Sequence, residues 1–348
     1  GFAACGKLFS SLFGVNYLTA MIISAIVIVA YTTLGGFLAA STTDFIQSII
    51  MSVALIVVLI FGVETAGGIG AVIHNASELP GYLSMTLSYD VNTGKAAPYS
   101  ALTIVSTAAW GLGYFGMPHI LLRFMAIEDE KKLKLSRRVA TIWVVISLFV
   151  AVFIGVIGYT MSKVGALEML TGSNSETIIV KISALLSQHG VIFALLAGVI
   201  LAGILASTMS TSDSQLLAAS SAVSSDILGA FRKDSSNKNG SMAAARITLL
   251  VISVVAAFIA RNPDSSVFAI VSFAWAGFGA AFGPVVLFSL FWKRTNKWGA
   301  LAGMVCGGSM VFIWKYLIRP LGGIWNIYEL LPAFLIACAC LLYTSDAA

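Results

Sequence analysis

The chain has 348 residues, of which 59% are hydrophobic and only 10% charged, and its mean hydropathy is +0.96. That balance excludes a soluble globular domain of this length and points to an integral membrane protein. The formal net charge of +5 calls for no nucleic-acid partner, because basic loops meeting anionic lipid headgroups account for it.

Apolar runs of about 20 residues, the length that crosses a bilayer as a helix, recur along the chain. They fall near 17–34, 44–65, 101–121, 139–162, 190–214, 244–260, 267–292, 299–317 and 328–344, after a partial span at the very start. Their period is helical, Gly and Ala are plentiful, and no alternating β pattern runs through them. The expected fold is therefore an all-α membrane bundle of about ten spans, forming a single transmembrane domain over residues 1–348. Gly1 to Phe13 reads as the end of a spanning helix without a start signal, and the chain stops abruptly after Tyr343. Both ends are expected to be cut.

Asp44 follows Gly35-Gly36 where the second span begins. By propensity it suits a helix N-cap, and the alternative is a role in ion exit on the cytoplasmic side. The third span carries Ala109-Trp110-Gly111-Leu112-Gly113-Tyr114-Phe115-Gly116-Met117-Pro118-His119. Three glycines and a proline predict a broken helix, since Pro118 cannot donate to a continuing ladder. A break at membrane depth is tolerated where it is buried or lines a cavity. Trp110 and Tyr114, one turn apart on one face, would wall such a cavity, and the freed backbone groups would bind a small zwitterion. A proline kink with its aromatics packed as core is the other reading, and on this segment alone both stand.

Basic residues cluster in three places: Arg123, Lys131, Lys132, Lys134, Arg137 and Arg138; then Arg232, Lys233, Lys238 and Arg246; then Lys293, Arg294 and Lys297. Two spans separate each cluster from the next, so loops 122–138, 229–246 and 293–298 are expected to be cytoplasmic. The opposite loops, 66–100, 164–188, 261–266 and 318–327, are nearly free of Lys and Arg.

The run Gly203 to Asp226 is apolar in setting but loaded with hydroxyls. At helical spacing Ser207, Ser210, Thr211 and Ser214 share one stripe. A single such hydroxyl reads as a helix-packing group. The whole stripe predicts oxygen ligands for a weakly held hard cation such as sodium, without the cost of a buried fixed charge. Asp213 lies on a different face and reads as an inner-end polar residue rather than a ligand. Trp275 to Pro284 is a small-residue seam suited to close helix packing. Cys5, Cys306, Cys338 and Cys340 read as packing residues, and His74, His119 and His189 are too scattered for a metal site. Neither a nucleophile–base pair nor a phosphate loop is present, so an enzyme is not expected.

Four stretches together are distinctive: GGFLAASTTDFIQ (35–47), WGLGYFGMPHILLRFMA (110–126), ILASTMSTSDSQLLAASSA (204–222) and SFAWAGFGAAFGPVVLFSLFWKR (272–294). Through them the chain resembles the sodium/solute symporter family, and within it the sodium/proline branch, from about Leu8 to about Leu342. The resemblance implies a LeuT-like five-plus-five inverted-repeat bundle working by alternating access in a plasma (inner) membrane. It implies Na+ as coupling ion and L-proline as solute, with no obligate protein partner. Carried over, sodium would be held by the Ser207 carbonyl and the Ser210 and Thr211 side chains. Proline would lie against Trp110, Tyr114 and Pro118, and Asp44 would match an acidic residue associated with sodium coupling. Met117 stands where the family has Gln, which implies a lost polar contact or a shifted solute preference. The family's first three spans, including an unwound helix that completes the sodium site, are expected to precede Gly1. Alternatives are a sibling carrying another small solute or osmoprotectant, and a transporter-like membrane sensor.

Overall fold

The computed structural model describes residues 1–227, 238–262 and 266–347, with the side chains of 238–241 also left aside. Arg232, Lys233 and the Lys238 side chain of the second basic loop therefore lie outside the described residues. In chain order the first elements are α1 (Phe2–Phe13), α2 (Tyr17–Thr65), α3 (Ile69–Ser77), β1 (Leu87–Asp90), β2 (Lys95–Pro98), α4 (Ala101–Ala108), a 3-10 segment (Ala109–Gly116) and α5 (Pro118–Met125). Then come α6 (Leu133–Lys163), α7 (Ile178–Ser187), α8 (Val191–Ser221), α9 (Lys238–Ile259), α10 (Val267–Phe291), α11 (Lys297–Ile313) and α12 (Leu330–Ala347). They gather into two compact units, Gly1–Glu78 with Asp129–Val267, and Leu79–Glu128 with Phe268–Ala348.

In the first unit, α2 begins at Asn16, whose side chain accepts from Leu18 N at 3.0 Å. Its 49 residues would run about 74 Å if straight, more than twice a bilayer core. Gly36, at φ 63° and ψ −165°, bends it, a conformation that only glycine adopts without strain. Just before the bend, the Thr32 and Thr33 hydroxyls donate to the Ile28 and Val29 carbonyls, each at 2.6 Å. The expected spans 17–34 and 44–65 are thus the two arms of one bent helix. Asp44 is no N-cap: the turns on both sides of it are helical, so no first-turn N–H group is left for it to satisfy. It sits buried on the second arm instead.

The second arm of α2 packs with α6, α7 and α8 around Ala54, Val58, Ile154, Ile157, Ile182 and Ile200. Gly203 on α8 allows the approach, since a Cβ there would lie 2.7 Å from the Ala54 Cβ. In lipid, where burying apolar surface gives no drive for association, such close backbone contact is what holds helices together. The outer end of this logic shows on α6. Ile154, Ile157 and Met161 are buried, whereas Val139, Ile142, Val145, Ile146 and Phe149 point outward. A continuous outward apolar face of this kind fits hydrocarbon and not water.

The second unit packs Ala276 and Ala280 of α10, Val311 of α11, and Ala333 and Phe334 of α12. Glycines at four-residue spacing bring α11 against α12. A Cβ on Gly303 would lie 3.2 Å from the Leu341 Cβ, and one on Gly307 3.0 Å from the Ala337 Cβ.

Among the described residues seven helices are long and apolar enough to cross a membrane. Counting the two arms of α2 and the segmented stretch 101–125, the nine expected full spans all have counterparts, and α1 takes the place of the partial one. Besides short 3-10 turns, two helices and a hairpin lie where loops are expected. Region 66–100 holds α3 and a small antiparallel hairpin with Asp90 opposite Lys95, and region 164–188 holds α7. All three are too short for a reading that looks for bilayer-length runs.

Substituting Gly36→Ala should destabilise the protein by about 1–3 kcal/mol, because alanine must adopt a glycine-only conformation. Gly155→Ala, in α6 where an added Cβ meets nothing within 4 Å, should be neutral or stabilising by up to ~1 kcal/mol. Thermal unfolding midpoints of the two variants in the same detergent check the contrast.

Candidate functional site

Two sets of residues could carry function, one in each unit. In the second unit, α4 starts at Ser100, whose hydroxyl accepts from Thr103 N at 3.2 Å. After two turns it tightens into the 3-10 segment and stops at Met117, which is extended at φ −85° and ψ 106°. Residues before proline favour that region, and Pro118 then opens α5 at its first turn, where its missing N–H is harmless. The predicted break is therefore real, and its two halves are each too short to cross a bilayer.

The broken stretch lies on α10 with almost no space between backbones. A Cβ on Gly116 would fall 2.8 Å from Gly279 Cα and 2.9 Å from Gly283 N, and one on Gly279 would fall 2.7 Å from Gly113 Cα. The seam read at 275–284 is thus a packing surface. It also does something the sequence did not suggest. Trp275 Nε1 donates to the Trp110 carbonyl at 2.9 Å, satisfying an acceptor in the tightened segment, where the regular helical ladder ends.

Around Trp110 the side chains form an aromatic group. Its ring stacks with Trp275 at 5.3 Å and 14°, with Phe268 at 5.7 Å and 10°, and with Tyr328 at 6.0 Å and 14°. Tyr114 meets Trp275 edge-on at 4.7 Å, leaving 46% of its surface exposed. Trp110 and Tyr114 both pack against Trp275. Pro118 is half-buried one residue past Met117, which is buried. Phe268, Trp275 and Tyr328 are the members that sequence reasoning missed. Trp275 was within reach, heading a run rich in glycine and alanine; Tyr328, more than 200 residues from Trp110, was not.

In the first unit, the hydroxyl stripe lies on α8 as expected. Thr211 Oγ1 donates to the Ser207 carbonyl at 3.1 Å, and Ser214 Oγ to the Ser210 carbonyl at 2.8 Å. Ser207 and Thr211 are exposed and Ser210 is half-buried, while Gly203, Ala206, Asp213 and Leu216 form the packed face of the helix. The Ser207 carbonyl and Thr211 hydroxyl are thus adjacent oxygens, of the kind a hard cation takes. Asp213 is more than an inner-end polar group. It is fully buried, and its carboxylate accepts from the Tyr31 hydroxyl of α2. An ionisable side chain buried in a spanning helix marks a functional region by default, and its presence in so apolar a run was the available signal. Asp44, on the second arm of α2, is buried as well.

The model of the sodium:solute symporter family matches residues 1–307. The chain is 38% identical over 337 residues to the osmoregulated proline transporter OpuE of Bacillus subtilis (strain 168), a match covering 97% of this chain and 65% of that protein. It is 38% identical to the sodium/proline symporter of Salmonella typhimurium (strain LT2), over 96% of this chain and 63% of that one. It is 39% identical to the high-affinity proline transporter PutP of Bacillus subtilis (strain 168), over 96% and 66%. The chain thus spans slightly less than two thirds of the length of these relatives. Among solved structures, a Na+-coupled sialic acid symporter in a substrate-bound outward-open state superposes with a TM-score of 0.75 at 16% identity, over all of this chain and 70% of that one. That likeness carries the fold, the LeuT-like helical bundle expected above. With the family model matched over nearly nine tenths of its length, the chain belongs to the sodium:solute symporter family.

Proposed function

We propose that these residues are the core of a sodium-coupled symporter that imports L-proline by alternating access, acting as a single transport domain. The observation that carries the reading is the broken helix at 109–118, sealed by α10 and faced with Trp110 and Tyr114. It is supported by similarity of 38–39% to proteins named as proline transporters. Flat aromatic faces suit the saturated pyrrolidine ring, and backbone groups at a helix break suit a carboxylate and a secondary ammonium. Trp110, Tyr114 and Pro118 are assigned to the solute.

Sodium, the driving cargo, is assigned to the Ser207 carbonyl and the Ser210 and Thr211 hydroxyls, with Asp44 assisting its binding or release. Each ligand must favour the same conformation for the sodium gradient to drive uptake. The protein is placed in the plasma (inner) membrane. Loops 122–138, 229–246 and 293–298 lie on the cytoplasmic side, as the charge asymmetry requires. A sibling solute is the second reading, favoured by the apolar Met117 buried beside Pro118.

Uptake of radiolabelled proline into proteoliposomes by the complete gene product containing these residues tests the assignment. An inward sodium gradient should drive accumulation, and competition with other small imino and amino acids should leave proline preferred. Ser210→Ala with Thr211→Ala removes two hydroxyl ligands at about 1–1.5 kcal/mol each. The sodium concentration for half-maximal uptake should then rise about 30- to 150-fold. Sodium-independent uptake would overturn the ion assignment, and indifference to proline the solute assignment. Asp44→Asn should raise the same sodium requirement while leaving the amount of protein in the membrane unchanged, as checked by immunoblot.

A further inference from the structure

The head of α12 holds a buried carboxylate to which the reading above gives no task. Glu329 is 1% exposed, and its carboxylate accepts from Arg319 Nη1 at 2.7 Å, with Lys315 Nζ 3.9 Å from its other oxygen. Arg319 Nε donates in turn to Asn326 Oδ1 at 3.0 Å, and Lys315 Nζ lies 3.9 Å from the centroid of the Phe273 ring on α10. A carboxylate this deep persists only when it is paired and hydrogen-bonded. Standing one residue before α12, it also meets the positive end of the helix. The cluster therefore fixes where α12 begins, and with it the residue just before Glu329.

That residue is Tyr328, held at three points. Its backbone N–H donates to Ser106 Oγ at 3.1 Å, its hydroxyl donates to the Ser272 carbonyl at 2.6 Å, and its ring stacks on Trp110. α4 thus holds the backbone, and α10 the half-buried phenol, of a residue just ahead of α12. A ring tied down so thoroughly has lost its rotational freedom before any ligand arrives, which is what a rigid selecting wall requires.

We propose that Tyr328 is a specificity-determining wall of the solute site, and that Glu329, through its pairing with Arg319 and Lys315, is the residue that positions it. The proposal rests on the reading that Trp110 faces the solute. Tyr328 sets the size of cyclic imino acid the site accepts. Glu329 touches no solute; its loss frees the head of α12 and lets the ring drift from Trp110.

The test is proteoliposome uptake by the complete gene product, with proline and its six-membered-ring homologue pipecolic acid as probes. Trp110→Ala serves as the check on the underlying reading. Tyr328→Ala should raise the KM for proline about tenfold and move the proline-to-pipecolate preference at least fivefold toward the larger ring. Glu329→Gln should raise the proline KM by a similar factor with kcat within twofold. If Glu329→Gln fails to reach the membrane, Glu329→Asp keeps the charge on a shorter arm and should give a smaller KM rise with the same sparing of kcat. Should Trp110→Ala raise KM while Tyr328→Ala alters neither KM nor ring-size preference, this proposal is overturned and the solute assignment stands. An unchanged KM in Trp110→Ala overturns the solute assignment, and the proposal with it.

Discussion

A hydrogen bond from the Trp275 indole to the Trp110 carbonyl sits at the centre of the second unit, for a reason set by the bilayer. Hydrocarbon offers no partner to a backbone group, so a helix can break inside it only where protein supplies what the ladder lost. Between Ala109 and Pro118 the ladder tightens and then ends. Support comes from α10, which presents an indole N–H to the Trp110 carbonyl and glycines on which the broken stretch can rest. Gly116 and Gly279 are the condition for that approach, because a Cβ on either would meet the facing backbone, while Gly113 leaves room for the Trp275 indole. With the break secured, Trp110 holds a fixed place and becomes the hub on which Phe268, Trp275 and Tyr328 stack.

The first unit meets the same constraint in another way. Apart from the bend at Gly36 its helices run on regular backbone, so the polar groups they carry must be accommodated one at a time. Hydroxyls on α8 donate to carbonyls one turn back, which removes the cost of placing them in an apolar span. The carboxylate of Asp213 is met by the Tyr31 hydroxyl across the packing of α8 on α2. Gly36 is what allows α2 to fold as two arms, one bearing Tyr31 and the other Asp44. In this unit the function proposed for Ser207, Ser210 and Thr211 includes a hydroxyl and a carbonyl that already bond each other, and a cation of modest affinity suits such a set better than a tightly held one.

How far these features could be read in advance follows from the range of the signal each one leaves. Spans, the break at Pro118 and the hydroxyl stripe are local, each written in a single run of consecutive residues, and all three are where the sequence puts them. The bend at Gly36 was half-visible: paired glycines marked a boundary between spans, but the helix runs on past it, so the N-cap assigned to Asp44 does not exist. Short elements such as α3, α7 and the hairpin at Asp90 fall below the length that hydropathy can resolve. What no local pattern can reveal is partnership across the chain. Tyr328 belongs with Trp110, Glu329 with Arg319 and Tyr31 with Asp213 because three-dimensional packing brings them together, and a single sequence carries no trace of it.

Reciprocal linkage between the two ligands tests the central claim most directly. Equilibrium binding of labelled proline to the complete purified gene product would be measured across a range of sodium concentrations, and sodium binding across a range of proline concentrations. If the broken-helix site and the hydroxyl helix serve one coupled cycle, sodium should tighten proline binding by a factor of about 5–150, and proline should tighten sodium binding by the same factor. Proline affinity that does not change between sodium and choline buffers, with sodium binding equally blind to proline, would contradict the account.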